Sequence, residues 1–291
     1  MEQSQHAGPP ILQNRFLRLE FLTQAGPRIS ALIPAGTTQN LFAKLDGFHW
    51  EGPYGPYSLL GGHRLWAAPE VPEVTYFPEN SGGQFQLIAD GIRLSREDHG
   101  KVHYERSIEI RLEADAPRLH LIHTLRNLST QPLNVAPWTL TVLPPRSRVR
   151  IPLSSGVMNQ NGFLPNRNIV FWPYADVSDP RLNLRNEFVE VNGDPLGDPF
   201  KIGVYTAQAW AAAEVKGWLL VKRFSHRDPN ALLDLGSNVE VYANQRFVEF
   251  ELLGELRPLQ EGETVELTET WEVLPGKLED LDENGTLSTK K

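Results

Sequence analysis

Hydrophobic and polar residues alternate along most of this chain, and the clearest case lies near its C-terminal end, in residues 247–253. A strand there would sort its side chains onto two faces: Val248, Phe250 and Leu252 against Phe247, Glu249 and Glu251. The two carboxylates would lie about 7 Å apart on one face. On a solvated face they are ordinary surface charges. In a cleft each raises the pKa of the other, and one becomes a candidate general base.

The same alternation predicts strands over much of the sequence, with turn signals between them. The predicted strands cover residues 16–22, 91–96, 107–113, 118–127, 135–143, 218–224, 238–242, 246–253 and 264–273. Residues 207–215 are the one helix-prone segment, and they could equally form a strand. Many strands at short spacing predict an all-β fold, a large single-domain antiparallel β-sandwich spanning residues 1–291, with poorly ordered ends at 1–12 and 276–291.

Composition and charge argue against several classes of function. The chain has 291 residues and a formal net charge of −8, which argues against a nucleic-acid partner. It contains 0 cysteines, so disulfides, thiolate metal sites and cysteine nucleophiles are excluded. We find no signal peptide and no apolar run near the ~20 residues of a membrane-spanning helix, so we expect a cytoplasmic protein without a membrane partner.

Residues 61–70 carry the second informative pattern, which we interpret as a loop. Two glycines are followed by His63, Arg64, Trp66 and Glu70. An aromatic ring that stacks on the C–H face of a sugar, beside an arginine and carboxylates that hold hydroxyls, is a typical carbohydrate site. The alternative is a turn in which Trp66 fills the core and Arg64 pairs with Glu70. The aromatic loop at residues 50–57 could border a cleft or cover the end of a sandwich.

Two charges interrupt otherwise apolar strand faces. Alternation places Lys222 and Glu269 on core-facing rows, where a charge is costly unless it is paired or faces a wet cleft. A bulge or an error in the predicted register is the simpler explanation. Trp138 begins an apolar strand and by itself indicates core.

The histidines do not predict a metal site. In a continuous strand His99 and His103 would lie about 13 Å apart, and His120 and His123 would fall on opposite faces. We therefore predict no metal. No phosphate-binding loop, dinucleotide fingerprint or serine elbow is present, and we predict no cofactor.

Taken in order, these pieces resemble the galactose mutarotase-like superfamily, the aldose 1-epimerases and their relatives. The resemblance covers residues 15–274 and rests on the order of five motifs: Ala25-Gly26-Pro27-Arg28-Ile29, Gly61-Gly62-x-Arg64-Leu65-Trp66-x-x-Pro69-Glu70, His123-Thr124-Leu125-Arg126-Asn127 followed by Ala136-Pro137-Trp138, Val239-Glu240-Val241-Tyr242-Ala243-Asn244, and Val248-Glu249-Phe250-Glu251. It looks most like an uncharacterised branch.

The resemblance implies one large sandwich with a sugar-binding cleft. In that family a late glutamate takes the proton of the anomeric hydroxyl, and a mid-chain histidine protonates the ring oxygen. Glu251 falls where the base should be, but Pro137 and Trp138 stand where the histidine belongs. His63 lies near the family's other histidine position. The implied catalytic residues are therefore Glu251 and His63, and the implied binding residues are Arg64, Trp66, Glu249, Glu70, Arg28, Trp138, Lys222 and Glu269.

Three functions remain open. The first is an aldose 1-epimerase-like enzyme with general acid/base chemistry at an anomeric centre. The second is a non-catalytic protein that binds a mono- or oligosaccharide and has lost the epimerase acid. The third is an accessory β-domain that contacts another protein through aromatic residues 50–57.

Overall fold

The computed structural model describes residues 10–154, 156, 160–225 and 228–288. Residues 1–9 and 289–291, which belong to the ends expected to be poorly ordered, lie outside the described part.

Strands dominate the described residues. In chain order they are β1 (Ile11–Gln13), β2 (Leu17–Leu22), β3 (Arg28–Pro34), β4 (His49–Gly52), β5 (Gly55–Ser58), β6 (His63–Ala68), β7 (Gln84–Ile88), β8 (Gly91–His99), β9 (His103–Leu112), β10 (Arg118–Asn127), β11 (Leu133–Leu143), β12 (Arg148–Pro152), β13 (Ile169–Phe171), β14 (Leu182–Leu184), β15 (Phe188–Asn192), β16 (Phe200–Val204), β17 (Trp210–Val215), β18 (Trp218–Phe224), β19 (Val239–Ala243), β20 (Val248–Leu253), β21 (Arg257–Leu259) and β22 (Thr264–Pro275). One short helix, α1 (Pro72–Thr75), and the 3-10 turns Pro229–Ala231, Asp234–Gly236 and Leu278–Asp280 complete the set.

These strands form two large antiparallel sheets. The first runs in the order β1-β2-β3-β6-β11-β20-β19-β16-β13, with β21 paired to β11, and the second in the order β14-β15-β12-β17-β18-β22-β10-β9-β8-β7. β4 and β5 form a separate hairpin. The all-β antiparallel sandwich predicted from the sequence is confirmed. Each predicted strand overlaps an observed one, and the helix-prone segment 207–215 contains strand β17.

The main core lies between the two sheets and is built from one face of each strand. In β20 the side chains of Val248, Phe250 and Leu252 enter this core. Because the pleat alternates, Glu249 and Glu251 point to the outer face of the first sheet. A second, smaller cluster on that outer face includes Trp66 and Trp138, and the candidate site lies there.

Strand β6 corrects the interpretation of residues 61–70 as a loop. All six residues of His63–Ala68 are buried, so both faces of the strand are covered and no alternation shows in the sequence. The glycines end the preceding turn: Gly61 has φ +78°, and a Cβ there would lie 2.1 Å from the carbonyl oxygen of Ala43. Only glycine tolerates both conditions.

Parts of both chain ends are described and contact the sheets. Ile11–Gln13 pairs with β2. Leu278 is fully buried and packs with Trp210 and Leu219 on the outer face of the second sheet. In the described residues there is no helix with the length and apolar character needed to cross a membrane.

Candidate functional site

The candidate site is a pocket on the outer face of the first sheet, across neighbouring strands β6, β11, β20, β19 and β16. Its cavity volume is about 210 Å³, below the ~300–1,000 Å³ of pockets for drug-sized ligands. That size suits one sugar ring. The lining side chains are Phe48, Trp50, Leu59, Arg64, Trp66, Glu70, Tyr76, Trp138, Tyr174, Lys201, Tyr242, Phe247, Glu249 and Glu251.

Glu251 lies at the floor of the pocket, and hydrogen bonds hold its carboxylate through one oxygen, Oε2. Its Oε2 accepts hydrogen bonds from the Trp138 indole N–H at 2.8 Å and from the Lys201 ammonium at 3.0 Å. No hydrogen bond to Oε1 is formed within the described structure. The carboxylate is therefore fixed in orientation and has one oxygen left for a ligand.

Lys201 joins two carboxylates. Glu240 in β19 is the direct cross-strand partner of Glu251 in β20, and the Lys201 ammonium lies 2.7 Å from Glu240 and 3.0 Å from Glu251. Burial lowers the pKa of Lys201, but the two carboxylates outweigh it and raise that pKa well above its ordinary value. Burial raises the pKa of Glu240 well above its ordinary value, against the attraction of Lys201. Lys201 thus keeps its positive charge beneath the pocket.

Arg64 forms the opposite wall. Its guanidinium donates to Glu249 Oε1 at 2.7 Å and stacks over the Trp66 ring at 4.1 Å. It does not pair with Glu70, which accepts a hydrogen bond from the Tyr76 hydroxyl. Two buried guanidinium nitrogens of Arg64, Nε and Nη1, have no hydrogen-bond partner among the described residues. An unpaired buried donor is costly to the folded chain, and because neither nitrogen is exposed, a ligand in the pocket does not contact them directly.

Aromatic rings supply the rest of the wall. Trp66 lies edge-on to Trp138 and Tyr76, with ring centroids 5.3 and 5.4 Å apart. Residues 50–57, interpreted from the sequence as a loop, lie in the β4–β5 hairpin. Trp50 of β4 packs against Tyr76 at 5.2 Å and lines the pocket, and Tyr57 of β5 is fully buried. Trp50 and Tyr57 thus pack into the aromatic wall of the pocket, whereas Tyr54 is exposed and packs against Phe77.

His63 is not in this pocket. It lies on the inner face of β6, is fully buried, and its Nε2 is 2.8 Å from Nε2 of His123. The alternation that brings Arg64 and Trp66 to the outer face turns His63 the other way. The expected catalytic role of His63 therefore lacks the geometry it requires, since the sheet itself separates its imidazole from Glu251.

Three of the expected binding residues are also absent from the pocket. Arg28 is fully buried and pairs with Glu79 behind the site. Lys222 and Glu269 lie between the sheets, where their charged atoms are 3.6 Å apart and fully buried. They form a buried ion pair, so neither a strand bulge nor exposure to a cleft accounts for these two charges. The pocket gathers Glu251, Glu249, Arg64, Trp66, Glu70 and Trp138 from the sequence-predicted set.

The hydrogen bonds around the buried histidines form one chain, in which each group donates to the next. The Lys222 ammonium donates to the Thr141 hydroxyl at 2.7 Å, so that hydroxyl donates to Nδ1 of His63 at 2.8 Å. Nε2 of His63 then donates to Nε2 of His123, whose Nδ1 donates to the carbonyl of Leu267 at 3.1 Å. Burial lowers the pKa of both imidazoles.

Two groups of side chains could hold a metal by proximity: His63, His123 and Glu269 in the core, and Glu97, His99 and His103 on the surface. In the core group the hydrogen bonds just described already use all four ring nitrogens. In the surface group the expected 13 Å separation of His99 and His103 is wrong, because a turn between them brings their ring centroids to 4.3 Å.

Sequence reasoning missed several pocket residues: Phe48, Tyr76, Tyr174, Lys201 and Tyr242. One signal was available, because alternation in 239–243 places Tyr242 and Glu240 on the face opposite Val239 and Val241. Lys201, flanked by Phe200 and Ile202, gives the same signal in a shorter strand.

A larger, open depression of about 810 Å³ lies along residues 255–268. No aromatic side chain is among its described lining residues, so it offers no stacking surface and is a weaker candidate for a sugar.

Comparison with known proteins identifies the fold. No protein-family profile and no curated protein matches the sequence. Among solved structures, a candidate aldose 1-epimerase from Escherichia coli K12 is 14% identical with a TM-score of 0.54, covering 92% of this chain and 99% of that one. A galactose mutarotase-like protein from Lactobacillus casei is 9% identical with a TM-score of 0.51, covering 91% and 100%.

The chain has the galactose mutarotase-like fold. The chain is also similar to part of a TPR-domain containing protein from Parabacteroides distasonis, at 12% identity and a TM-score of 0.64 over 94% of this chain and 48% of that one. The resemblance found in the sequence is confirmed at the level of the fold, since identities this low carry no substrate or mechanism.

Proposed function

We propose that this chain binds a single carbohydrate ring in the outer-face pocket and acts on its anomeric centre with Glu251 as base. The observation that carries the proposal is the Glu251 carboxylate, fixed through Oε2 by Trp138 and Lys201, with Oε1 left for a ligand. Aromatic rings around it suit the C–H faces of a sugar. The Arg64 guanidinium in the pocket wall suits its hydroxyls.

The reaction needs a base and an acid. Glu251 Oε1 would take the proton from the anomeric hydroxyl, and an acid would protonate the ring oxygen so that the ring opens and recloses. No described lining residue is a histidine. Glu249 is the group that best fits the acid, because burial and the neighbouring Glu251 raise its pKa against the attraction of Arg64.

Optical rotation tests this proposal. A pure anomer of a hexose or pentose should relax faster than its spontaneous rate with wild-type protein, and this excess should vanish in Glu251→Gln and fall in Glu249→Gln. Glu272→Gln, a carboxylate paired with Arg118 on the second sheet, is the matched control and should keep full activity. A spontaneous rate unchanged by wild type across the sugar panel rejects the enzyme.

The missing histidine favours a second candidate, a protein that binds a sugar without converting it. Calorimetry separates the two functions. Binding of a monosaccharide, abolished by Trp138→Ala and Arg64→Met but without catalysed relaxation, identifies a binding protein. No heat with any sugar of the panel rejects both functions.

A further inference from the structure

The end of the β8–β9 hairpin brings three metal-ligating side chains together. His99 is the last residue of β8 and His103 the first of β9, and the two are direct cross-strand partners. Glu97 lies two residues before His99 and therefore on the same face of the strand. Asp98, between them, points inward and is fully buried. The hairpin thus presents one carboxylate and two imidazoles to solvent.

The ligand atoms of these side chains converge. Glu97 Oε2 lies 3.1 Å from Nε2 of His103 and 3.6 Å from Nε2 of His99. All three ligand atoms lie within 4.8 Å of one another. Zinc bound tetrahedrally at ~2.0–2.2 Å separates neighbouring nitrogen and oxygen ligands by about 3.3 Å. The observed spacing is therefore close to that of ligands around one ion.

The surrounding charges leave this carboxylate available. Glu105, opposite Glu97 across the hairpin, forms an ion pair with Arg93 at 2.6 Å. In the described part of the chain Glu97 has no lysine or arginine partner, only the two imidazoles. Their side chains are exposed, so an ion can reach all three groups from solvent.

We propose that Glu97, His99 and His103 form a binding site for a divalent transition-metal ion. Two imidazole nitrogens and one carboxylate oxygen suit Zn²⁺, and also Ni²⁺ or Cu²⁺, with water completing the coordination. Mg²⁺ and Ca²⁺ prefer oxygen ligands and should not bind. The site is separate from the sugar pocket and does not depend on the proposed function.

Titration calorimetry with ZnCl₂ tests the site, using the full chain without a histidine tag after removal of metals by EDTA. Wild type should bind one Zn²⁺, with MgCl₂ giving no heat. His99→Ala and His103→Ala should each weaken Zn²⁺ binding at least about tenfold, as expected for loss of a ligand. His120→Ala removes an exposed histidine that also faces a glutamate, Glu113, and should bind Zn²⁺ like wild type.

Thermal unfolding provides the second readout, because an ion that binds only the folded chain raises its melting temperature. Zn²⁺ should raise it in wild type and His120→Ala, and raise it less in His99→Ala. The variants should melt alike in EDTA, since the side chains are exposed. No Zn²⁺ binding by wild type, or Zn²⁺ binding by both hairpin variants as tight as that of wild type, would overturn the proposal.

Discussion

Replacing Lys222 by methionine tests the charge pair buried between the sheets. Methionine keeps the length and the apolar contacts of the side chain, so the substitution removes the ammonium and little else. It leaves the fully buried Glu269 carboxylate with mainly neutral donors, the Thr139 hydroxyl at 2.6 Å and the Trp271 indole N–H at 2.6 Å. An uncompensated charge in the core destabilises the folded state.

Removing one partner of a buried ion pair costs about 3–5 kcal/mol. Burial lowers the pKa of Lys222 against the attraction of Glu269. Because the buried ammonium is itself costly, we expect the loss of unfolding free energy to lie at the lower end of this range. Unfolding entropy of ~2.1 cal/mol/K per residue over 291 residues amounts to about 0.6 kcal/mol/K. A loss of about 3 kcal/mol should therefore lower the melting temperature by about 5 °C.

Urea unfolding followed by tryptophan fluorescence measures the change. Arg118→Met is the matched control, because Arg118 pairs at 3.1 Å with Glu272 on the solvent side and should lose less than about 1 kcal/mol. The double variant Lys222→Met/Glu269→Gln should recover part of the loss, since no buried charge is left unpaired. If Lys222→Met is no more destabilising than Arg118→Met, the account of this pair is wrong.

Two further predictions concern stability. His63 and His123 have pKa values lowered from 6.5 by burial, so below that pH the unfolded chain binds more protons than the folded one. Urea unfolding at stepped pH should show stability falling as the pH is lowered below 6.5, by up to about 1.4 kcal/mol per histidine per pH unit, and a stability that stays constant over that range would contradict the burial of the two imidazoles. Gly61→Ala should destabilise far more than Gly36→Ala in thermal melts, because both have positive φ, +78° and +77°, but only Gly61 lies against a backbone carbonyl; equal losses would contradict the packing argument.

Alternation in the sequence predicts the strands that cover the core with one face only. β10 and β22 are of this kind, and their two faces differ in the sequence as they do in the structure. β6 is different: its inner face joins the main core and its outer face the aromatic cluster, so all six residues are buried. Because β6 shows no alternation, the two glycines before it are the stronger signal in the sequence, and they predict a loop.

The sequence predicts the site best where one strand carries several of its residues. Glu249 and Glu251 share a face of β20, and Arg64 and Trp66 share one of β6. Lys201 reaches the same pocket because β16 follows β19 in the sheet order, which local sequence does not specify. For the same reason the sequence identifies Lys222 and Glu269 as unusual charges on apolar faces but does not show that they form an ion pair.

Saturation-transfer NMR with a panel of monosaccharides tests the central claim most directly, because it detects weak binding and reports which sugar protons touch the protein. The account predicts transfer to ring protons of a bound sugar in wild type and in Arg118→Met, and its loss in Trp138→Ala, which removes both an aromatic wall and a donor to Glu251. Transfer that persists unchanged in Trp138→Ala, or none from any sugar to wild type, would contradict it.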